Sequence, residues 1–303
     1  MSKSSLATVE YASNELRLRL VGPPPDLAPY LSGYYRTEVM PGALVEDWLP
    51  PEEANLRTGQ AEEYVAAIGT DQLAVVPPAV ISGPTDRVTH LRLGGGKFWG
   101  IGLTPAGWAR FIGLPASDFA NRFDDIARHP RLQSLRDMLD TLRGNGDDTD
   151  ASVALINRTF RDLLDRRSPN EAAIHAVHHA IGTEGNVPVA QIACMAGMNA
   201  RTFERFCGRH FGFPPARLLR RQRFLRSLGK YMLDPAMRWI NSLDGHYHDQ
   251  AHFIREFRSI MQMTPTEYAE RSHPITGAAV QVISAAAGVA MQALHMPRVP
   301  PAP

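Results

Sequence analysis

Asn199-Ala200-Arg201-Thr202-Phe203-Glu204-Arg205-Phe206-Cys207 and Asp249-Gln250-Ala251-His252-Phe253-Ile254-Arg255-Glu256-Phe257 are two versions of one pattern, set fifty residues apart. Asn199 pairs with Asp249, Phe203 with Phe253, Arg205 with Arg255 and Cys207 with Phe257. The match continues to Pro215 with Pro265 and Leu218 with Tyr268. Repetition at a fixed offset marks a duplicated structural unit. Each copy opens on Asn or Asp, whose side-chain oxygen can accept from the free N–H groups at a helix start. Apolar residues then recur at i and i+4, which puts them on one helical face.

Before the first copy, Val189–Ala196 reads as a short helix with Ile192 and Ala193 inward and Gly197 at the turn. A small residue in one helix, a glycine that tolerates positive φ, and a capped second helix make a helix-turn-helix. The second helix of such a unit offers its first residues to base edges in the major groove. On that basis Arg201, Thr202 and Arg205 in the first copy, and Gln250, Ala251, His252 and Arg255 in the second, are the candidate base readers. Between the copies, Ala216–Met232 has Leu219, Leu225, Leu228 and Met232 inward and Arg220, Arg223 and Arg226 outward, as one linking helix. Asp249 is expected to act as a cap rather than as a reader.

Charge agrees with this placement. The chain has 303 residues and a formal net charge of +1. From Arg201 to Lys230, however, there are nine basic residues against the single acid Glu204. Residues 171–273 carry a net charge of +4 and the remainder −3. A local cationic field suits a polyanion, although a basic run can also be only a solvated helix face. Arg209, Arg220, Arg221 and Arg258 are expected to touch phosphates or to raise the local potential.

The N-terminal part has a different texture. Between residues 30 and 103, short β-prone runs (Tyr30–Val39, Val45–Leu49, Glu63–Ile68, Leu73–Val76, Val88–Leu93 and Phe98–Leu103) alternate with turn signals such as Pro41-Gly42 and Gly94-Gly95-Gly96. That spacing predicts a small β-barrel or sandwich. Pro105 opens a helical stretch holding Trp108, Phe111 and Ile112. Two amphipathic segments, Leu132–Leu142 and Val153–Leu164, then predict an antiparallel helical pair. The run Ile275–Leu294 has no charged residue. It is interrupted by Gln281, Ser284 and Gln292, and a packed helix or a loose tail is favoured over a membrane span.

The C-terminal third resembles the AraC/XylS family of transcription regulators over about 100 residues. The resemblance rests on Ile192-Ala193, Gly197, Arg205, Phe211-Gly212-Phe213-Pro214, Arg220–Arg223, Tyr247–Phe257 and Thr264-Pro265-Thr266-Glu267-Tyr268. The chain departs from the family where Gly-Tyr usually precedes the second recognition helix with Ala four residues earlier. His246 and Ser242 stand there, and Gly245 sits one residue early. Phe98–Trp108, continuing through Gly113-Leu114-Pro115-Ala116-Ser117, is similar to a cupin-like subgroup of effector domains. The resemblance implies a double-stranded-DNA-binding regulator whose N-terminal half takes a small effector; activator and repressor both stay open, with activator as the working reading. RNA polymerase and a second copy of the chain are further partners it admits.

Other chemistry finds little support. His175, His178 and His179 have helical spacing for a metal site but lack an HExxH pattern or a cysteine pair, and are expected to be surface histidines. His90 is the sole histidine before residue 129, too few for a cupin iron centre. No catalytic residue, cofactor or metal is expected. Cys194 and Cys207 read as reduced, buried thiols. With no basic-then-apolar leader at Met1–Glu15, a cytoplasmic protein is expected.

The expected fold is α+β and multi-domain. Residues 1–128 form a β-barrel or sandwich-like domain with flanking helices, and 129–167 a helical pair that links or dimerises. Residues 168–273 form an all-α domain of two helix-turn-helix modules joined by a linking helix, and 274–303 a tail. The competing reading is a cupin-like sensor or enzyme whose helical half mediates protein contacts.

Overall fold

The computed structural model describes residues 8–145, 148–166, 168–183, 187–233, 247 and 249–287. Ser242, Gly245, His246 and His248, and the tail beyond residue 287, lie outside the described residues.

The N-terminal half is a nine-stranded antiparallel sheet. Its strands are β1 (Thr8–Ala12), β2 (Leu16–Val21), β3 (Leu31–Leu49), β4 (Ala54–Ala61), β5 (Tyr64–Ile68), β6 (Ala74–Val75), β7 (Ala79–Ser82), β8 (Thr89–Leu103) and β9 (Phe123–Asp125). Two of them are far longer than the sequence suggested. Pro41-Gly42 does not end β3. It sits in an irregularity between Val39 and Leu44, with Gly42 at φ 75°. Gly94-Gly95-Gly96, expected to be a turn, runs inside β8 instead. A Cβ on Gly94 would come within 2.9 Å of the Glu63 nitrogen, and one on Gly95 within 3.0 Å of the Pro41 Cα. The glycines thus serve close strand approach rather than reversal. They also let the strand change faces: Leu91, Leu93 and Phe98 share one core, while Trp99, Ile101 and Leu103 belong to another.

After the short helical stretch Pro105–Gly107 and a π-turn at Trp108–Ile112 come α1 (Gln133–Gly144) and α2 (Thr149–Asp162). Their apolar faces, Leu135, Met138, Leu139 and Leu142 with Val153, Ile156 and Phe160, pack on Tyr34, Leu56 and Ile101 of the sheet and on Phe111 of the π-turn. The Tyr34 hydroxyl donates to Asn157 Oδ1 at 2.8 Å across that contact. The pair therefore covers the sheet with its apolar stripes and turns outward residues such as Gln133, Asp137, Thr141, Arg158 and Asp162.

The C-terminal half is helical: α3 (Glu171–Thr183), α4 (Val189–Met195), α5 (Ala200–Phe211), α6 (Pro215–Leu233), α7 (Gln250–Met261), α8 (Pro265–Ala269) and α9 (Pro274–Ala287). Among the described residues no helix is long and apolar enough to cross a membrane. The uncharged segment instead begins as α9, which packs back onto the sheet through Ala278.

The two halves are in direct contact. His178 is buried and shares a hydrogen bond of 2.6 Å with Glu53, so it is not the surface histidine expected. A carboxylate from the sheet next to a half-exposed helix draws the ring inward. Arg217 Nε lies 3.2 Å from Asp86, and the Val88 N–H donates to the Ile260 carbonyl at 2.8 Å.

Candidate nucleic-acid interface

The fifty-residue repeat is a repeat of geometry. Asn199 accepts from the Thr202 N–H at 2.9 Å, and Asp249 accepts from the His252 N–H at 2.6 Å, so both recognition helices are capped alike. Both helices run twelve residues and end on a left-handed residue, Gly212 at φ 83° and Gln262 at φ 58°. Pro215 and Pro265 each open the helix that follows, where a missing N–H costs nothing. Phe203 and Phe253, Cys207 and Phe257, and Leu218 and Tyr268 are buried at matching positions. In the first module the chain turns at Gly197, φ 66°, between α4 and α5, with Ile192 and Ala193 in the core.

With those faces buried, Arg201, Thr202, Arg205 and Arg209 of α5 are exposed. So are Gln250, Ala251, Arg255 and Arg258 of α7, while His252 is half-buried with its ring edge-on to Tyr247. Among the described residues, the guanidinium groups of Arg201, Arg205 and Arg255 make no ion pair. An exposed cation without an internal partner is free to meet a phosphate or a guanine edge.

Several other arginines of the basic block are engaged within the chain. Arg217 pairs with Asp86. Arg220 and Arg223 of α6 converge on Glu256 of α7, at 3.1 and 2.6 Å, and the Tyr247 hydroxyl donates to the same carboxylate. Arg221 differs most from expectation. It is buried, and its Nη1 donates to the carbonyls of Glu52 (3.3 Å) and Thr85 (3.2 Å) in the sheet domain. Burial lowers its pKa against the opposing pull of Glu53 and Asp86. In this arrangement Arg221 joins the two halves and does not face solvent. The i, i+3 spacing of Arg220 and Arg223 correctly gave a shared face, but sequence could not say that Glu256 would occupy it. Glu256 stands at the repeat position of buried Phe206, and a carboxylate at an apolar position was the available signal.

The thiols divide. Cys207 is buried, which pushes its pKa up to about 12, whereas Cys194 is exposed rather than buried as expected. His175, half-buried, keeps a pKa below the usual histidine value, mainly through burial. Among the described residues no cluster of His, Cys, Asp and Glu could hold a metal ion.

A second feature lies in the sheet domain. A cavity of about 320 Å³ is lined by apolar side chains, among them Leu18, Leu91, Leu93 and Phe98, together with the polar residues Tyr35, Asn55, Arg57 and Tyr64. That size falls within the range of small-molecule sites. Arg57 is held there by Glu52 at 2.6 Å, by the Tyr35 hydroxyl at 2.8 Å and by Ser82 at 3.2 Å. Glu52 and Glu53 line the cavity and also carry the links to Arg221 and His178.

Comparison with known proteins supports the helical half. A family model described as "Helix-turn-helix domain" matches residues 192–271. No curated protein sequence matches the chain. Among solved structures the chain is similar to ToxT from Vibrio cholerae bound to a methylnaphthalenyl butenoic acid. That match has 12% identity and a TM-score of 0.41, covering 78% of this chain and 96% of that one. It is also similar to wild-type ToxT bound to an unsaturated fatty acid, with 9% identity and a TM-score of 0.40, covering 86% and 96%. A Bacillus subtilis oxalate decarboxylase matches with 13% identity and a TM-score of 0.25, over 34% of this chain and 30% of that one. Residues 192–271 therefore match a helix-turn-helix domain, in agreement with the duplicated capped helices described above.

Proposed function

We propose that the chain reads a double-stranded operator by placing α5 and α7 in adjacent major-groove segments. Arg201, Thr202 and Arg205 contact one half of the site, and Gln250, Ala251, His252 and Arg255 the other. Arg209 and Arg258 are exposed and serve phosphates. The observation that carries this reading is the duplicated capped helix with exposed guanidinium groups left unpaired in each copy. The linking helix α6, at nineteen residues, is about 28 Å long. That is comparable with the roughly 34 Å between successive major-groove faces. One chain can then span two groove segments without a partner copy.

The sheet domain acts as the sensor in this reading, taking a small molecule in the 320 Å³ cavity. Glu52 and Glu53 give it a physical route to the DNA-binding half, because each touches the cavity and a buried group of the helical half. No catalytic role is assigned to any residue, and the chain is proposed to work in the cytoplasm. Selection of the full-length chain against a random duplex pool tests the reading. Enrichment of a bipartite site, with binding that weakens steeply as salt rises, supports it. Absence of any enriched sequence overturns it and returns the helical half to a role in protein contacts.

A further inference from the structure

Helix α9 forms part of the cavity wall. Ile275, Ala279 and Val282 fall at i, i+4 and i+7 on one face of that helix, and with Thr276 they line the cavity. Adjacent on the helix, Val280 belongs to the core that holds Phe224, Leu225 and Leu228 of α6 and Phe257 of α7. The same fourteen-residue helix therefore lines the sensor cavity and packs against the second helix-turn-helix module.

Its docking is specific. Asp47, fully buried in β3, accepts from the N–H groups of Ile275 (2.9 Å) and Thr276 (2.7 Å). A carboxylate from a distant strand thus caps the helix and complements its dipole. His273 shares a hydrogen bond of 3.2 Å with the same carboxylate and stacks on Tyr268 at 3.9 Å between ring centroids. Arg271 lies over the Trp48 ring at 4.0 Å.

Two hydroxyls of residues that line the cavity, one on a strand and one on α9, have no hydrogen-bond partner among the described residues. Thr89 Oγ1 of β8 and Thr276 Oγ1 of α9 are both buried, at 1% and 4% residue exposure, and both residues line the cavity. A buried hydroxyl left unbonded carries a desolvation cost that a bound polar group would relieve. The cationic side of the cavity is already satisfied. Burial works against the Arg57 cation, but Glu52 and Tyr35 outweigh it, so a charged ligand would find no open counter-charge there.

We propose that the cavity binds a small, largely apolar molecule bearing one neutral hydroxyl or carbonyl group, held jointly by Thr89 of the sheet and Thr276 of the C-terminal helix. The cavity is about twice the roughly 150 Å³ that holds one benzene ring in an engineered apolar site, so two fused rings fit it. Ligand binding tightens α9 against the sheet. The consequence for DNA rests on the sensor reading above, whereas the site itself does not.

The full-length chain titrated with 2-naphthol, with naphthalene as the probe lacking the hydroxyl, tests this. The expected result is saturable 2-naphthol binding that weakens about five-fold in Thr89→Val and in Thr276→Val. Naphthalene binding stays unchanged in both variants, and Thr276→Ser restores 2-naphthol affinity. Amide exchange over 275–282 slows when 2-naphthol is bound. No binding at millimolar probe, or equal affinity in wild type and both valine variants, overturns the proposal. Binding with slowed exchange but unaltered operator affinity supports the site and refutes the sensor reading instead.

Discussion

Arg223 Nη2 stands 2.6 Å from Glu256 Oε2, and Arg220 Nε reaches the same oxygen at 3.1 Å, so the linking helix grips the second recognition helix through one buried carboxylate. Glu256 is only 4% exposed, and it receives the Tyr247 hydroxyl as well. A buried carboxylate with three donors is a fixed joint, and removing it leaves two guanidinium groups and a phenol to find water. Glu256→Ala is expected to cost about 2 kcal/mol, near the value for charge-assisted hydrogen bonds. The urea midpoint of the full chain measures this. Protection of the second half of the operator in footprinting should fall, while the first half keeps its contacts. Equal loss across both halves would show that Glu256 supports the fold alone.

The basic residues separate by what they touch, and mutation should separate them the same way. Arg205→Ala is expected to lower operator affinity about tenfold and to relax selectivity at one position, as for a lost base contact of about 1–3 kcal/mol. Arg209→Ala should weaken binding evenly across sequences and reduce the salt slope by about one.

Arg221→Ala makes the contrasting case, because its guanidinium is spent on the Glu52 and Thr85 carbonyls. It should lower the denaturation midpoint through loss of the contact between the halves, and leave the salt slope of DNA binding unchanged. A salt slope lowered as much as by Arg209→Ala would place Arg221 on DNA.

The helical half was the more legible part of the sequence, and the reason is local. Caps at Asn199 and Asp249, apolar spacing and proline starts are all encoded within a turn or two of the residue concerned. The strands were less so. A β-strand declares its length through partners far away in sequence, and Gly94–Gly96 looks like a turn until Glu63 and Pro41 are seen beside it. Residue type likewise announced a cationic surface but not which arginines would be consumed. Arg221 and Arg205 are indistinguishable by composition; only the carbonyls of a different domain tell them apart. The uncharged α9 was hardest, since its apolar residues fit a buried helix and its occupied face depends on a cavity built by β1–β5, β8 and β9.

Gly96 tests the reading of the glycine run as close packing. A Cβ there would overlap both Ala61 and the Gln60 carbonyl on the paired strand β4. Gly96→Ala is expected to destabilise the chain by about 1–3 kcal/mol, the range for overpacking in a tight interior. Gly144→Ala serves as the comparison, because an added Cβ there meets nothing within 4 Å. Thermal unfolding of the two variants side by side should show a clear fall for the first and little change for the second. If the two behave alike, β8 is not pressed against its neighbour at that point.

His210 makes stability depend on pH in a defined window. It sits in the last turn of α5, buried against Phe206 at 4.8 Å between ring centroids. Burial, aided by the Arg209 charge, lowers its pKa from 6.5 to about 4. A helix C-terminus favours a cation by roughly 0.3–1 kcal/mol, which acts in the opposite direction and loses to burial here. The folded-state value lies below the unfolded one, so the unfolded chain takes up the proton first as pH falls. The contribution of neutral His210 is therefore complete above about pH 6.5 and is lost between there and about pH 4, at up to about 1.4 kcal/mol per pH unit. Below pH 4 this group adds no further loss. Urea midpoints measured from pH 7 to pH 5, where most carboxylates stay ionised, should fall for the native chain and stay flatter for His210→Leu. Arg209→Ala should raise the His210 pKa observed by NMR. A His210 titration near 6.5 in the folded chain would mean that water reaches the ring and that the α5 core is more open than described.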